Sequence, residues 1–208
     1  MPKYCNLLSG VYEGVGKYQI PEIAPVYECD VSNWIGFNYI KQYETKKDCT
    51  MGVHFFVVDY QFERVWNIPD KYLTYLSRYN CVLSPDFSLY TDFPLAVQIW
   101  NHYRKHWLAA YWQERGITVI PSISWSDENS FEWCFDGEPK NSVVAVSDVG
   151  CKKSKEAQEA FNLGYNEMLR RLNPSKILLY THSFNGEYDG NVKFIRHSAG
   201  PYMPRKEL

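Results

Sequence analysis

Residues 142–180, SVVAVSDVGCKKSKEAQEAFNLGYNEMLRRLNPSKILLY, decide the fold of this chain. The segment begins and ends with the short apolar runs SVVAV and KILLY, which are typical of buried strands. A helix is predicted between Lys153 and Leu172, and Asn173 and Pro174 stop it. Its apolar face comprises Ala157, Phe161, Tyr165, Met168 and Leu172. A strand, a helix and a strand joined by short links predict a parallel crossover.

Five apolar runs of the chain each end in small polar or acidic residues. They are VHFFVVD (53–59), CVLSPDFS (81–88), ITVIPSISWSD (117–127), SVVAVSD (142–148) and KILLYTH (176–182). Buried parallel strands are continuous apolar runs, and ligands bind where such strands end. We therefore predict an α/β fold with a mostly parallel sheet and crossover helices. The sheet is either open or curled into a small or incomplete TIM-like barrel, because a complete barrel needs about 250 residues.

The longest helix is predicted from Pro94 to Arg115. Thr91 and Asp92 offer capping oxygens near its start, and Gly116 suits the position just past its end. Apolar residues at intervals of four predict a stripe pressed against the sheet. This stripe comprises Leu95, Ile99, Tyr103, Trp107 and Tyr111.

Length and composition predict one domain spanning residues 1–208. Residues 1–33 are rich in Gly, Pro and Tyr and predict an irregular segment, whereas 34–208 form the α/β core and open with the strand WIGFNYI (34–40).

The net charge of −2 argues against a surface that is basic throughout, as the surfaces of nucleic-acid-binding domains usually are. Residues 151–208 nevertheless carry 10 Lys or Arg against 6 Asp or Glu, so a local basic patch stays open.

The cysteines and the amino terminus indicate a compartment. The six cysteines include no CxxC pair, and Cys81 and Cys134 lie in apolar or aromatic stretches, as buried thiols do in a reducing cytoplasm. The terminus MPKYCNLLSG lacks the apolar run of a signal peptide, and no segment has the roughly 20 apolar residues of a membrane span. We expect a soluble cytoplasmic protein, in a bacterium or a phage-infected cell, without a membrane partner.

The stretch from Phe55 to Tyr180, about 60% of the chain, carries a resemblance to a known family. The residues concerned are DYQFERVWNIP (59–69), SPDFSLY (84–90), GITVIPSISWSDENSF (116–131) and CFDGEPKNSVVAVSDVG (134–150). They resemble a domain-of-unknown-function family, DUF4417-like, found in phages, prophages, plasmids and their bacterial hosts. The resemblance implies a mobile-element or bacterial setting. It brings no established activity and no catalytic residue.

Three aspartates follow three different predicted strands. Because parallel strands end at one edge of a sheet, Asp59, Asp86 and Asp127 are expected to lie near one another. Carboxylates in such a group serve as acid and base or hold a divalent metal ion. The competing interpretation is that each aspartate caps a helix or a turn, which suits the Pro85-Asp86 sequence in particular.

Other predicted site residues lie on the same edge. Trp125 would stack on a sugar or a nucleobase, with core packing as the alternative. We expect the serines at this edge to form hydrogen bonds and not to act as nucleophiles, because no G-x-S-x-G elbow is present. The serines predicted to bind substrate are Ser122, Ser124 and Ser147. His182 follows the last strong strand and would act as acid or base, with an ordinary loop histidine as the alternative.

Two further groups of residues are candidates for a metal site and for a reactive thiol. His102 and His106 lie four apart on the long helix, a spacing that suits metal binding, but the HYRKH sequence lacks the glutamate of a zincin. Cys151 precedes the basic helix, where a thiol pKa is lowered, although a partly buried thiol explains it as well. The sequence does not identify a cofactor, and a divalent metal ion is the candidate.

Two functions from different classes follow from these patterns. The first is a hydrolase that cleaves a glycosidic or phosphodiester bond in a nucleotide- or sugar-containing substrate, with Asp59, Asp86, Asp127 and His182 in catalytic roles. The second is a non-catalytic accessory factor that binds nucleic acid or a host protein during replication or counter-defence. The basic balance of residues 151–208 and the lack of a catalytic signature support the second function.

Overall fold

The computed structural model of the protein describes residues 6, 10–31, 33–43, 50–151, 154–182 and 188–196. Two parallel sheets dominate these residues. The first sheet contains, in spatial order, β3 (Asn33–Gly36), β4 (Met51–His54), β5 (Cys81–Leu83) and β6 (Val119–Ile120). The second contains β7 (Val143–Ser147), β8 (Lys176–Thr181) and β9 (Val192–Arg196). A separate antiparallel pair consists of β1 (Gly14–Val15) and β2 (Ile20–Pro21).

Helices connect these strands. They are α1 (Glu63–Asn67), α2 (Pro69–Leu76), α3 (Leu95–Glu114) and α4 (Lys155–Leu172). Short 3-10 helices cover Phe37–Tyr43, Asp59–Gln61 and Glu128–Glu132. Within the described ranges, no helix combines the length and the apolar character needed to cross a bilayer.

The two sheets adjoin at the ends of β6 and β7. An isolated parallel bridge pairs Ser122 with Ala145. The amide of Ala145 donates to the carbonyl of Pro121 at 2.8 Å, and the amide of Ile123 donates to the carbonyl of Ala145 at 2.7 Å. The predicted α/β class and parallel pairing are thereby confirmed. The described strands do not close into a barrel, so the barrel-like part of the prediction is not confirmed.

Helix α4 follows its sequence pattern closely. The hydroxyl of Ser154 accepts from the amide of Ala157 at 3.1 Å and caps the start of the helix. Asn173 adopts a left-handed conformation (φ 45°) at its end, and its amide donates to the carbonyl of Leu169. Asparagine tolerates this conformation better than most residues do. The buried residues are Phe161, Gly164, Tyr165, Met168 and Leu172.

Helix α3 departs from its predicted stripe. Trp107 and Tyr111 are buried as expected, but Leu95 is 54% exposed. The predicted cap is also wrong, because Pro94 occupies the capping position and no side-chain hydrogen bond closes the end. Instead, polar side chains of the helix are buried: Gln98, Asn101, His102, Arg104, Lys105 and His106. Gln98, Asn101 and Lys105 hydrogen-bond to the loops that follow β5 and β6. Arg104 pairs instead with Glu63 of α1, and His106 contacts the carbonyl of Pro21 in β2.

Several strand bounds differ from the sequence prediction. The first predicted strand ends at Gly36, where a 3-10 helix begins, and β6 is only two residues long. Pro121 follows β6 directly, and proline cannot donate to a sheet ladder. Strand β9 was not predicted. The irregular amino-terminal segment contains the short β1–β2 pair.

Three apolar clusters hold these elements together. One packs α1, α2 and α3 against the first sheet, and a second packs α4 against the second sheet. The third joins side chains from both sheets, including Leu83, Ile120, Ala145 and Tyr180. The sheets therefore share a core, and the carboxyl ends of β5, β6 and β7 come together above it.

Candidate functional site

A small cavity opens at the carboxyl ends of β5, β6 and β7. Its volume is about 90 Å³. It is lined by Asp86, Ile123, Ser124, Trp125, Val146, Ser147, Cys151 and Phe161. Four of these residues (Asp86, Ser124, Trp125 and Ser147) were predicted from the sequence as site residues. The lining combines one carboxyl group, two hydroxyls and two aromatic rings, which is the composition of a small-ligand site.

Asp86 is the acidic group of this cavity, and its pKa is raised to about 7. Burial is the main cause, and the nearby charge of Asp59 raises the pKa further. Lys105 and a hydrogen bond with Ser124 act in the opposite direction. The residue stays half-buried rather than sealed, since its side chain faces the cavity. At neutral pH, Asp86 therefore exists in both its protonated and its ionised form, as a general acid requires.

The charge of Asp59 acts on Asp86, although Asp59 is not among the described residues that line the cavity. It follows β4 by five residues and opens a 3-10 helix. Its carboxylate accepts two hydrogen bonds from Ser88, one from the amide at 3.0 Å and one from the hydroxyl at 2.9 Å. The backbone carbonyl of Ser88 in turn accepts from the side-chain amide of Asn101 at 2.7 Å. Asp59 is therefore held as an acceptor by a loop that α3 fixes in place.

The ring of Trp125 forms one wall of the cavity and lies against α4. Its indole N–H donates to the carbonyl of Ala160 at 3.2 Å. The ring of Phe161 lies 5.5 Å away, between centroids. A Cβ atom at Gly164 would approach Trp125 to 2.2 Å, so only glycine at this turn of the helix leaves room for the ring. The position and tilt of Trp125 are thus set by the backbone of α4.

The three predicted serines occupy different environments. Ser124 hydrogen-bonds to Asp86 and lines the cavity. Ser147 also lines it, and its hydroxyl accepts from the amide of Val149 at 3.2 Å. Ser122 is fully buried instead and ties the ends of β5 and β6 together. Its amide donates to the hydroxyl of Ser84 at 2.8 Å, and its hydroxyl donates to the carbonyl of Ser84 at 2.9 Å.

Asp127 and His182 lie apart from the cavity lining. Asp127 is exposed, and its carboxylate accepts from the amide of Ser130 at 3.2 Å, which caps the 3-10 helix Glu128–Glu132. His182 is exposed at the end of β8 and is not among the described residues that line the cavity. The structure thus places Asp86 in the cavity lining without Asp59, and it gives Asp127 the capping role that was its alternative interpretation.

Polar side chains of α3 hold the loops around the cavity. The side-chain carbonyl of Gln98 accepts from the hydroxyl of Ser126 at 2.7 Å. Asn101 binds the loop after β5, and the ammonium of Lys105 donates to the carbonyl of Ser122 at 3.0 Å. These three residues recur at helical spacing, so one face of α3 fixes the loops around the cavity and forms the floor beneath these loops.

A buried ionic cluster lies behind this floor. The ammonium of Lys105 donates to Oε1 of Glu138 at 2.7 Å, and the two side chains are 2% and 0% exposed. Nε2 of His106 lies 3.0 Å from the same oxygen. Burial alone would raise the pKa of Glu138, but Lys105 and His106 outweigh it and hold that pKa below its usual value. His102, His106 and Glu138 are the described residues whose donor atoms are grouped closely enough for a metal ion.

Sequence reasoning missed several residues of this region. Asp148 is 3% exposed and accepts from the hydroxyls of Thr181 at 2.9 Å and Tyr188 at 2.6 Å. The signal was available, because the run SVVAVSD ends in this acid. Lys105 and Glu138 gave no such signal, since they are 33 residues apart and each resembles an ordinary surface charge in the sequence.

Comparisons with known proteins agree with the resemblance seen in the sequence. Residues 12–197 match a family described as "Domain of unknown function (DUF4417)". The chain is 38% identical over 171 residues to the Gene 1 protein of Mycobacterium phage L5, covering 81% of this chain and 73% of that protein. It is 38% identical over 163 residues to the Gene 1 protein of Mycobacterium phage D29, covering 78% and 60%. No solved structure matches the chain significantly. The chain therefore belongs to the DUF4417 family and is similar to proteins of mycobacteriophages.

Proposed function

We propose that the protein is a hydrolase in which Asp86 is the general acid and Asp59 is the general base. One observation carries this proposal: Asp86 lines a cavity, burial raises its pKa to about 7, and the charge of a second carboxyl group, that of Asp59, acts on it. Paired carboxyl groups whose environments differ divide into an acid and a base. Here burial keeps Asp86 partly protonated, whereas the side-chain oxygens of Asp59 accept two hydrogen bonds from Ser88.

Hydrolysis by this pair needs one water molecule. Asp86 donates its proton to the leaving oxygen as the bond to the substrate carbon breaks, and Asp59 accepts a proton from the attacking water. The hydroxide portion of the water bonds to the carbon, and proton exchange with solvent restores both carboxyl groups. Of the two bond types predicted from the sequence, the glycosidic bond is favoured. The described lining residues include no cation to offset a phosphodiester charge, and Lys105, whose charge acts on Asp86, is already paired with Glu138.

The remaining lining residues suit a sugar-containing substrate. Trp125 offers an aromatic face for the apolar side of a sugar ring, and the hydroxyls of Ser124 and Ser147 offer hydrogen bonds to its edge. A volume of about 90 Å³ equals that of about three waters. The cavity therefore accepts part of one ring, and the rest of the substrate lies outside it.

A panel of 4-nitrophenyl glycosides and nucleosides, with bis(4-nitrophenyl) phosphate for the diester, tests the proposal. Asp86→Asn and Asp59→Asn should each lower kcat at least 100-fold, as loss of general acid or base catalysis does. For the wild type, kcat/KM should fall as the pH rises above about 7, because Asp86 loses its proton there.

Two controls make this test decisive. Asp92→Asn removes an exposed carboxylate of the loop before α3 and should leave turnover unchanged. Asp127→Asn tests the third predicted carboxylate directly, and a 100-fold loss there would restore it to the catalytic set. If the Asp86 and Asp59 variants turn over substrate like the wild type while remaining folded, the acid–base assignment is wrong.

The accessory-factor function predicted from the sequence is the alternative, and one observation favours it. Residues 151–208 carry a net charge of +4, which would attract nucleic acid. Gel shifts with single- and double-stranded DNA and RNA at two salt concentrations separate the two functions. Salt-sensitive binding without turnover of any panel substrate would favour the accessory factor.

Two finer expectations complete the proposal. We propose that the two sheets are parts of one curled, barrel-like arrangement, because β3 to β9 follow chain order and side chains from both sheets share one apolar cluster. We also propose that the protein acts in the cytoplasm of the host cell. The similarity to phage proteins and the buried free thiols of Cys29, Cys81 and Cys134 support this location.

A further inference from the structure

The two buried histidines of α3 are both oriented by backbone carbonyl groups. Nε2 of His102 lies 3.1 Å from the carbonyl of Asp136, and Nδ1 of His106 lies 2.7 Å from the carbonyl of Pro21. A carbonyl oxygen only accepts, so each of these nitrogens carries a hydrogen. In a neutral imidazole the other nitrogen then presents a lone pair.

The lone pairs that remain are grouped around Glu138. Nε2 of His106 lies 3.0 Å from Oε1 of Glu138, so two acceptor atoms face each other. Nδ1 of His102 and Oε2 of Glu138 are buried and have no hydrogen-bond partner among the residues that the structure describes. Buried polar atoms without a partner are costly and rare in folded proteins. Something positively charged is needed between these three side chains.

A proton satisfies only part of this arrangement. Protonation of His106 would resolve its contact with Oε1, but it would leave Nδ1 of His102 and Oε2 of Glu138 without partners. Lys105 already occupies Oε1 and the carbonyl of Ser122, so Oε2 is the oxygen that stays available. A metal ion accepts all three lone pairs at once.

We propose that His102, His106 and Glu138 bind one divalent transition-metal ion of the Zn²⁺ class. One atom from each side chain lies within 4.8 Å of the other two. Ligand bonds of about 2.0–2.2 Å separate tetrahedral ligands by roughly 3.5 Å. The widest pair therefore has to close by about 1 Å, which rotation of the side chains supplies. Two histidines and one glutamate form an established zinc ligand set.

Both histidines make the additional hydrogen bond that metal-binding histidines usually make. A ligand histidine almost always donates its other N–H to a carbonyl or a carboxylate, and both imidazoles do so here. Gly137, directly before Glu138, adopts a left-handed backbone conformation with φ +76°, and its lack of a side chain lets the loop lie close to His106. A Cβ there would lie 2.8 Å from Nδ1 of His106 and 2.5 Å from the carbonyl of Pro21.

Metal uptake by the full chain tests the site. The protein is stripped with a chelator, equilibrated with Zn²⁺, dialysed and assayed by mass spectrometry for metal per chain. We expect about one equivalent in the wild type and an affinity loss of at least tenfold in His102→Gln and Glu138→Gln. The matched control is His182→Gln, which removes an exposed histidine and should retain the metal. Zn²⁺ should raise the melting temperature of the wild type and not that of the two ligand variants.

Titration with Co²⁺ keeps the test valid if the buried variants fail to fold. The stripped wild type should take up one Co²⁺ and show the visible absorption of a four-coordinate site, and Zn²⁺ should displace it. A stripped wild-type protein that binds neither ion, or ligand variants that retain full metal content, would overturn the proposal. This readout does not depend on hydrolytic activity, so the metal site and the proposed function can fail separately.

Discussion

Replacing Gly164 by alanine tests how α4 positions Trp125. In the interior of an unconstrained helix, this change stabilises a protein by up to about 1 kcal/mol. Here the added Cβ would lie 2.2 Å from two atoms of the indole ring. That ring is already fixed by Phe161 and by the carbonyl of Ala160, so it cannot move aside freely.

The two effects have opposite signs, and their sum is predictable. Overpacking of a buried contact costs about 1–3 kcal/mol, and a 2.2 Å approach belongs in the upper half of that range. After the helix gain is subtracted, Gly164→Ala should lower the free energy of unfolding by about 1–2 kcal/mol. In a Trp125→Ala background the clash is gone, so the same change should stabilise by about 0.5–1 kcal/mol.

Urea denaturation of the four proteins in this double-mutant cycle measures the coupling directly. The control is Asn166→Ala, at an exposed position of the same helix, which should stabilise slightly in both backgrounds. A Gly164→Ala variant that is stabilised equally with and without the Trp125 ring would refute the packing described for this wall of the cavity.

Three further predictions concern charged groups. Because folding raises the pKa of Asp86 to about 7, the folded state holds a proton that the unfolded chain releases near pH 4. The free energy of unfolding should therefore decrease between about pH 4 and pH 7 by roughly 3 kcal/mol from this group, and Asp86→Asn should flatten that slope in urea titrations at several pH values. Lys105→Met leaves Glu138 without its ammonium partner and should destabilise the metal-free protein by about 3–5 kcal/mol in denaturant titrations. Asp127→Ala removes the cap of a 3-10 helix and should lower stability by about 1 kcal/mol, measured by thermal melting; no change would show that the cap is dispensable.

The parallel architecture was predictable because buried strands and the helix between them leave strong periodic signals. Helix α4 and strands β7 and β8 lie close to where the sequence put them, since an amphipathic stripe and an Asn-Pro stop agree. Strand β9 was missed because VKFIR is only five residues long and Lys193 interrupts its apolar run, although Asp189-Gly190-Asn191 before it is a turn signal. The closure of the sheet is a question of three-dimensional curvature, which no local pattern encodes.

The site was predictable in part, and for a specific physical reason. Asp86, Ser124, Trp125 and Ser147 follow directly from strand ends, and parallel strands bring their ends to one edge. Asp127 obeys the same rule yet points to its own backbone, because an aspartate before a helical turn gains a hydrogen bond locally. Sequence position places a residue at an edge, but only the competition between local and distant partners decides what its side chain does.

Helix α3 shows why the deeper part of the site was not visible in the sequence. An apolar stripe drawn through Leu95 predicts a polar opposite face turned to solvent, but Lys105 and His106 are buried. Burying a charge is costly unless it is paired with an opposite charge. Here the buried ammonium of Lys105 is paired with Glu138, which lies in a loop 33 residues further along the chain. A helix that breaks the amphipathic rule in this way sacrifices stability, and such violations concentrate where a protein binds something. The polar face of α3 supports the acid pair on one side and presents the two histidines on the other. Substitutions on that face should therefore disturb both the cavity and the histidine cluster, whereas substitutions at exposed Leu95 should disturb neither.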